Sequence, residues 1–539
     1  MKHILLIIIL FISKEAITQT YFQKKIESTF FGYGNNVINT SGNTYTILGS
    51  INNNLGSDNN KIILIKLDST YNEVWSKKVD IGTPATPGDL IQTKDKGMVI
   101  IGLSGSIELD TLKTFVVKLN SEGVTEWAKT LNEKVTHFPG KVIETSNKNL
   151  VIATLISDSG VIHILLLNFN RNGNLVSNKI YYGAENITVS DIVAENDGGF
   201  TILGQLTLTR KAYTNSYSFI SKFDRNANMQ WNRVINLHPD LKFSSVLPES
   251  IIKTKDNGYA FLAQDLTSGI TSNLIKVDQK GRFQWGRIIG DGYTSFLYDL
   301  ISTNDGGFTL TGNSNTNIYV VKTDSMGQTK WSKILGKVQG EFYFHGKTQS
   351  VVQTKDKGYL LTGNAQFTGD DYGNMVVVKL DKLGNACGDT ISLNANKTFG
   401  ATTSIAKFDS LPALDIEAID ILPELTDGPS FYTFCSESLF SNNQSSINKT
   451  IQVYNNTEIK LYPNPTKDYL QLKIKSDKNA NAIIQILGIS GSVLSSNKKI
   501  IGIGSNTFYL NVSFLKPGNY FVKIISDNKQ EVLKFIKQQ

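Results

Sequence analysis

The stretch from Asp299 to Lys333 decides the fold, and it reads Asp-Leu-Ile-Ser-Thr-Asn-Asp-Gly-Gly-Phe-Thr-Leu-Thr-Gly, a short polar gap, and then Ile-Tyr-Val-Val-Lys-Thr-Asp-Ser-Met-Gly-Gln-Thr-Lys-Trp-Ser-Lys. Its short apolar runs alternate with polar residues and are separated by turn residues. This pattern is typical of four β-strands in an antiparallel meander. Most of the chain repeats this stretch with variations.

The repeat can be aligned on the residue before the first turn of each unit: Thr40, Thr93, Thr145, Glu195, Thr254, Thr303 and Thr354. The spacings are 53, 52, 50, 59, 49 and 51 residues, which are typical of propeller blades. The seventh unit stops at Asn385 without a fourth strand, whereas residues 22–26 match residues 75–79 of the first unit. A strand from the N-terminus that completes the last sheet closes a ring. The sequence therefore predicts an all-β fold with a seven-bladed β-propeller over residues 19–385, rather than an open solenoid.

Three residue types recur at fixed places in the units. An Asp-Gly, Asn-Gly or Lys-Gly pair in the first turn predicts a hairpin in which glycine supplies the positive φ. An Asp or Asn follows every third strand, and because one acid per unit cannot fill a calcium site, we expect it to cap the next turn. All five tryptophans begin a fourth strand, where we expect them to pack between sheets; unit three has Ser177 there.

The turns after strands two and four are long and varied, so they predict the binding face. Loops on this face carry aromatic and histidine side chains suited to contact with a glycan or a protein, although they could instead fill gaps between blades. The candidate binding residues in these loops are His137, His238, Tyr293, Phe342, Tyr343, Phe344 and His345.

The start of each innermost strand carries a polar residue that we expect at the channel mouth on the same face. These residues are Asn36, Asp89, Lys141, Asp191, Ser250, Asp299 and Ser350. Asp89, Asp191 and Asp299 are the candidate binding acids, and they could hold a cation or simply solvate the channel. The chain has no histidine pair at metal-ligand spacing, no nucleophile elbow and no phosphate loop. We therefore predict no catalytic residues, metal or cofactor, while a polysaccharide hydrolase stays open because catalytic carboxylates have no fixed spacing.

Residues 1–18 have the pattern of a signal peptide, with Lys2 before the apolar run from Ile4 to Ile12. No later run is long and apolar enough to predict a membrane span in the mature protein. The net charge is +7, and residues 458–539 hold all of this excess. The propeller region is therefore neutral on balance, which argues against a nucleic-acid partner.

Residues 386–457 lose the repeat, and we interpret them as a connector with some local strands. They contain both cysteines, Cys387 and Cys435. In an exported protein one disulfide between them is expected, and two buried thiols are the alternative.

Residues 458–539 show about seven short alternating strands, which predicts a small β-sandwich. Their motifs are Tyr462-Pro463-Asn464-Pro465, Leu515-x-Pro517-Gly518-x-Tyr520-Phe-Val-Lys523, and the final Lys534-Phe-Ile-Lys537. In content and order they resemble the C-terminal sorting domain, type A, of type IX secretion cargo in Bacteroidetes. The resemblance implies an Ig-like fold, export through the periplasm, and recognition by the outer-membrane secretion machinery.

These features together predict a secreted or cell-surface propeller that binds a glycan or a protein. The alternative is a secreted propeller hydrolase that acts on polysaccharide, and a structural role in an envelope assembly is a third possibility. Enzymatic activity is the less favoured interpretation, because no motif supports it.

Overall fold

The computed structural model describes residues 20–438 and 458–538, apart from residues within them at 27–30, 53–59, 83, 106–111, 132–139, 159, 183–185, 211–212, 239, 242, 268, 291–294, 315–316, 336–344, 367–372, 387–389, 393–396, 400–401, 405–408, 412–417, 421–423, 428–430, 477–479, 488–492, 503 and 527–528. The predicted signal peptide, residues 1–18, lies outside the described part of the chain. Two compact units, 1–441 and 442–539, divide the chain, and each is described by itself.

The first unit contains seven antiparallel sheets among the described residues, and each is one blade. The closing strand comes first in the chain and is β1 (Thr20–Ile26). The strands of blades one to seven follow in chain order: β2 (Phe31–Thr40), β3 (Thr44–Asn52), β4 (Lys61–Leu67), β5 (Glu73–Asp80); β6 (Ala85–Gln92), β7 (Met98–Ser104), β8 (Lys113–Leu119), β9 (Thr125–Leu131); β10 (Lys141–Glu144), β11 (Leu150–Asp158), β12 (Val161–Phe169), β13 (Leu175–Tyr182); β14 (Ile187–Ala194), β15 (Phe200–Arg210), β16 (Tyr213–Phe223), β17 (Met229–Asn236); β18 (Val246–Lys253), β19 (Tyr259–Asp265), β20 (Thr271–Val277), β21 (Phe283–Ile289); β22 (Ser295–Ser302), β23 (Phe308–Ser314), β24 (Asn317–Thr323), β25 (Thr329–Leu335); β26 (His345–Gln353), β27 (Tyr359–Gln366), β28 (Asn374–Leu380).

The N-terminal strand β1 supplies the fourth strand of blade seven. It pairs antiparallel with β28, so that Phe22 lies opposite Lys379 and Ile26 opposite Met375. Phe22 and Ile26 are both buried in a core shared by blades seven and one. The first and last blades are thereby joined by strands from both ends of the repeat region.

Each blade has a fifth, outermost strand that the repeat pattern does not predict. These strands all come from residues 390–438: β29 (Thr390–Ser392), β30 (Lys397–Phe399), β31 (Thr402–Ser404), β32 (Asp409–Leu411), β33 (Ala418–Asp420), β34 (Glu424–Asp427) and β35 (Phe431–Ser438). They pair in chain order with blades six, five, four, three, two, one and seven. The segment therefore passes once around the ring in the direction opposite to the blades, and we call it the belt.

The belt ends on the closing strand. β35 pairs along the whole of β1, from Thr20 opposite Ser438 to Ile26 opposite Phe431. β1 is thus hydrogen-bonded on both edges, by β28 and by β35. Since an unpaired strand edge is a site of fraying and association, the belt both covers the outer edges of the fourth strands and fixes the ring closure.

Tryptophan in one blade packs on a turn glycine in the next blade. A Cβ atom at Gly384, which has a φ of +77°, would lie 2.7 Å from the Trp331 ring, and the same relation joins Trp75 to Gly123, Trp127 to Gly173, Trp231 to Gly281 and Trp285 to Gly327. Where the tryptophan is missing, the glycine is missing too. Ser177 is followed in the next blade by Ala227, which accepts a hydrogen bond from Tyr181 at 2.6 Å, and Phe22 faces Tyr71 at a centroid distance of 5.5 Å.

The predicted turn caps are confirmed in all seven blades. The Asp324 carboxylate, for example, accepts hydrogen bonds from the backbone of Met326 and Gln328 at 2.9 and 2.8 Å. The equivalent side chains at 68, 120, 170, 224, 278 and 381 do the same for their own turns. These acids and amides are part of the scaffold, as the prediction of capping requires.

The first turns differ in one detail from the prediction. In blade seven Lys357, and not the following Gly358, has the positive φ, at 64°. Gly358 is required for a different reason, because a Cβ atom there would lie 2.3 Å from the Leu380 carbonyl oxygen. The turn residue Asp356 also holds the buried Lys379, with Nζ 2.8 Å from Oδ2.

The second unit forms two sheets among its described residues, with strand orders β36-β37-β40 and β39-β38-β41-β42. The strands are β36 (Glu458–Tyr462), β37 (Tyr469–Ser476), β38 (Ala480–Leu487), β39 (Val493–Ile501), β40 (Gly504–Asn511), β41 (Gly518–Ser526) and β42 (Lys529–Lys537). Inward side chains of both sheets form one core, including Leu472, Ile484, Leu510 and Val522. The sandwich therefore has a hydrophobic core of its own.

Candidate functional site

The innermost strands carry three successive layers of residues around the channel. The base layer is the predicted polar ring, Asn36, Asp89, Lys141, Asp191, Ser250, Asp299 and Ser350. The middle layer, one residue earlier in each blade, is Asn35, Gly88, Gly140, Ser190, Glu249, Tyr298 and Gln349. The rim, three residues before the base residue, is Tyr33, Thr86, Thr188, Leu247, Phe296 and the backbone position of Lys347. We call these layers the funnel; Phe138 and the side chain of Lys347 lie outside the described part.

A β-bulge shapes the funnel in six of the seven blades as described. The pairing register shifts beside the base residue in β2, β6, β14, β18, β22 and β26. Because the bulge inserts an extra residue, it interrupts the alternation of side chains and turns the middle residue toward the channel with the base residue. In β22, Tyr298 and Asp299 are accordingly both partly exposed, between the buried Leu297 and Leu300.

The three predicted acids of the base layer join neighbouring blades. Asp89 Oδ2 accepts a hydrogen bond from the backbone of Val142 at 3.0 Å. Asp191 and Asp299 accept in the same way from Ile251 and Val351, at 2.9 and 2.8 Å. The other oxygen of each acid accepts from the next residue of its own strand. The acids therefore connect blade two to three, four to five and six to seven.

Lys141 lies within electrostatic reach of all three acids. Burial opposes the charge of Lys141, but the carboxylates of Asp89, Asp191 and Asp299 outweigh this effect and raise its pKa. Glu249 of the middle layer acts in the same direction. Four carboxylates thus act on one ammonium group, so the described part of the funnel is negative when all these groups are ionised.

Burial raises the pKa of all three base acids. For Asp191 the pKa rises to about 6, with Lys141 and the hydrogen bond from Ile251 offsetting part of the effect of burial. For Asp89 and Asp299 burial again outweighs the nearby lysine and the backbone donors. A carboxyl group that titrates near pH 6 can exchange a proton under ordinary conditions.

The upper funnel carries aromatic and apolar side chains beside the hydroxyls of Thr86 and Thr188. Tyr33 and Leu247 on the rim are 41% and 37% exposed. Phe296 stacks on Tyr298 with nearly parallel rings, at a centroid distance of 6.4 Å. Burial and the charge of Glu249 raise the pKa of Tyr298 to about 12, so its hydroxyl stays protonated. The funnel therefore combines aromatic faces above with hydroxyls and carboxylates below.

His238 is the only histidine among the predicted binding residues whose side chain is described. Its Nε2 lies 2.5 Å from Asp265 Oδ2, and its side chain is 21% exposed. Asp265 ends β19, so the pair links the loop between blades four and five to the second strand of blade five. The same loop exposes Leu241 and Phe243.

Several predicted residues fall on segments that the structure does not describe. His137, Tyr293, Phe342, Tyr343 and Phe344 lie outside the described residues, and His345 is described only as the first backbone position of β26. Cys387 also lies outside them. Cys435 lies in β35 opposite Gln23, and its side chain is not described. The roles proposed for these residues stay predictions.

Among the described side chains, no cluster of three or more His, Cys, Asp or Glu residues could hold a metal ion. The hydrogen bonds from neighbouring blades explain why the base acids do not form such a cluster, because each carboxylate is held against its own blade boundary. Tyr33, Leu247, Glu249 and Tyr298 were not predicted from the sequence as funnel residues. The repeat alignment could have found them, one and three positions before the polar ring.

The predicted sorting motif ties the start of the sandwich to its last strand. Asn464 Oδ1 accepts a hydrogen bond from the backbone of Ile536 at 2.9 Å, and its amide donates to the Lys534 carbonyl at 3.1 Å. Pro463 and Pro465 both follow cis peptide bonds. Tyr520 stacks on Phe535 at 5.7 Å and donates a hydrogen bond to the Lys516 carbonyl at 2.9 Å. The separated motifs of the tail therefore meet in one structure around the C-terminal strand.

Residues 460–538 match the family model of the secretion system C-terminal sorting domain. The tail is a sorting domain of the type IX secretion system. The protein is therefore exported to the cell surface or the extracellular space, and its sorting domain interacts with the secretion machinery. No described helix has the length and apolar character needed to cross a membrane.

No curated protein matches the chain in sequence. Solved structures with a similar arrangement include the polysaccharide lyase Uly1, at 10% identity and a TM-score of 0.41, covering 65% of this chain and 90% of that one. A PL25 ulvan lyase is 9% identical with a TM-score of 0.42, covering 69% and 97%. Drosophila Plexin A in complex with Semaphorin 1b is 8% identical with a TM-score of 0.39, covering 68% and 87%.

Asp191 should give the protein a measurable pH dependence of stability. Its folded pKa of about 6 lies above the ordinary value of 3.8, so the fold disfavours the ionised form. The resulting penalty is complete above pH 6 and disappears as the pH falls toward 4. Compared with Asp191→Asn, the wild type should therefore lose about 2–3 kcal/mol of stability between pH 4 and 7.

Chemical denaturation of both proteins across this pH range measures the difference. Asp197→Asn is the control, since hydrogen bonding to Gly199 lowers the pKa of the half-exposed Asp197 carboxyl, and its difference from wild type should stay constant between pH 4 and 7. A constant difference for Asp191→Asn would contradict the burial of this charge.

Proposed function

We propose that this protein is a secreted or surface-displayed binding module whose funnel takes up a glycan. The observation that carries the proposal is the layered arrangement of aromatic rim and polar base around one channel. Aromatic faces bind the apolar faces of sugar rings, and hydroxyls and carboxylates accept their hydroxyl hydrogens. The funnel opens on the face with the long, varied loops, where a repeating scaffold usually carries recognition.

The charge of the funnel limits the class of ligand. Among the described side chains of the funnel, four carboxylates face the one ammonium group of Lys141, which disfavours an anionic sugar, since like charges at short range in a partly buried site repel each other. Neutral glycans and those with amino groups are therefore the expected ligands. Uronic acid and sulfated glycans should bind weakly.

Removal of the rim aromatic groups should weaken binding. The double substitution Tyr33→Ala and Phe296→Ala removes two aromatic faces, and we expect a loss of about tenfold to hundredfold in affinity. A glycan array identifies the ligand, and calorimetry on wild type and variant measures the change.

Met326→Ala with Leu383→Ala is the matched control. Both side chains are more than half exposed, and both lie on turns of the opposite face, so binding should not change. Equal affinity of wild type and the rim variant would contradict the funnel as the binding site.

A second candidate function is a secreted polysaccharide hydrolase. The observation that favours it is the raised pKa of Asp191, about 6, beside other carboxylates in the same channel, since an acid of this kind can act as a proton donor. Hydrolysis of a polysaccharide panel that Asp191→Asn abolishes would support this function over binding alone. Turnover that persists in Asp191→Asn would exclude the proposed role of this acid.

A further inference from the structure

The three-stranded sheet of the sorting domain carries aromatic side chains on its outer face. Along β37, Leu470, Leu472 and Ile474 point into the core and are fully buried. The alternate residues point outward, and Tyr469 and Lys473 are exposed. β40 repeats this alternation, with Leu510 buried and Tyr509 exposed. The period of two defines an outer face that the core of the domain does not use.

The strand register brings three tyrosines together on this face. Gln471 lies opposite Tyr462 on one side and opposite Tyr509 on the other. Tyr469 is two residues along the same strand from Gln471. Opposite residues in an antiparallel pair have Cβ atoms about 5 Å apart, and diagonal neighbours are about 7 Å apart. The three tyrosines therefore surround Gln471, and we call Tyr462, Tyr469 and Tyr509 the tyrosine face.

The exposure of the tyrosine face is not explained by the fold of the domain. Tyr462, Tyr469 and Tyr509 are 40%, 59% and 67% exposed. Exposed aromatic groups that lie together on a rigid sheet mark interaction surfaces, and tyrosine is enriched at the centres of protein interfaces. A flat sheet face also presents its side chains with little loss of conformational entropy on binding.

We propose that the tyrosine face is the surface through which the sorting domain docks on a protein of the secretion machinery, and that the docking site of that protein is an apolar groove with an acidic border. The acidic border follows from charge complementarity. Residues 458–539 contain 12 lysines and 5 acids, and the exposed Lys473 lies on the tyrosine face itself. Opposite charges around an aromatic centre guide the encounter and set its orientation.

The proposal is independent of the funnel and rests on the sorting domain alone. It assigns the docking function to the middle of the three-stranded sheet, and not to the motif residues Asn464 and Tyr520, which make hydrogen bonds within the domain. Those motif residues maintain the fold, and the tyrosine face makes the contact.

The test is export of the full-length chain in the bacterium that produces it. The double substitution Tyr469→Ser and Tyr509→Ser should lower the exported fraction at least tenfold, with intact protein in the periplasm. Tyr469→Phe with Tyr509→Phe keeps the rings and should be exported nearly as well as wild type. Resistance to trypsin and an unchanged melting temperature of the purified serine variant show that the sandwich stays folded.

Ile500→Ser is the matched control for a loss of exposed apolar surface. Ile500 is 75% exposed and lies on the other sheet, so this variant should be exported normally. Normal export of the folded tyrosine-to-serine variant would overturn the proposal, as would an equal defect in Ile500→Ser. A photo-crosslinking residue at position 509 identifies the molecule that binds the tyrosine face. An adduct with polysaccharide in place of an outer-membrane protein would also overturn the proposal.

Discussion

Truncation of the chain after Asn385 should lower the melting temperature of the propeller by about 10 °C compared with truncation after Thr457. The shorter protein lacks the belt, so the fourth strands of blades one to six lose their outer partners and β1 is paired only with β28. Seven strand pairings with a net contribution of about 1 kcal/mol each correspond to this shift in a domain of this size. Removal of the sorting domain alone should leave the propeller unchanged, because that unit has a core of its own.

Hydrogen exchange locates the effect within the ring. In the protein without the belt, the amides of Tyr21 to Ile26 should exchange at least tenfold faster, whereas those of central strands such as β23 should change little. Should the short protein fail to fold, a protease site between β34 and β35, at residues 428–430, provides the comparison for β35 alone in a folded protein. Equal exchange rates of the β1 amides with and without β35 would contradict the proposed stabilisation of the closing strand by β35.

Gly384→Ala should destabilise the junction of blades six and seven by about 2–5 kcal/mol. Gly384 has a φ of +77°, and the new methyl group would lie 2.7 Å from the Trp331 ring. The backbone strain costs about 1–2 kcal/mol and the overpacking about 1–3 kcal/mol. Thermal and chemical unfolding of the variant measure the sum.

Two further variants separate the two causes. Gly306→Ala has a similar φ of +85° and no atom within 4 Å of the new methyl group, so it should show the strain alone. In a Trp331→Ala background the overpacking disappears, and Gly384→Ala should then cost no more than Gly306→Ala. If Gly384→Ala destabilised the Trp331→Ala protein as much as the wild type, contact with tryptophan would not be the reason for glycine at this position.

The propeller could be predicted from sequence because the signals that specify its strands and turns are local and recur in every blade. The spacing of about 50 residues gives seven blades, and the match of Phe22–Ile26 to Trp75–Val79 identifies the closing strand. The Asp and Asn caps, such as Asp324, act on the backbone of their own turn. Such short-range rules depend little on distant parts of the chain.

The belt could not be predicted in this way, because most of its strands have three residues. Three residues carry no readable alternation, and they become strands only when the edge of a finished blade supplies the hydrogen bonds. The contact between tryptophan and glycine in neighbouring blades could not be predicted either, because it too forms only when the blades are assembled. The sequence shows both residue types, and the loss of both at Ser177 and Ala227 was the signal that connects them.

The candidate site was predicted in part. The alignment placed Asp89, Asp191 and Asp299 at the channel mouth, but their hydrogen bonds to the next blade depend on bulges that leave no mark in the sequence. Glu249 and Tyr298 face the channel for the same reason. The contact between His238 and Asp265 likewise depends on the path of a long loop.

Hydroxyl-radical footprinting with and without the glycan that binds most tightly in the array tests the proposed funnel most directly. We expect protection of Tyr33, Leu247, Phe296 and Tyr298 in the complex, with unchanged oxidation of Met326 and Leu383 on the opposite face. Protection of Met326 and Leu383, with the funnel residues oxidised as in the free protein, would contradict it.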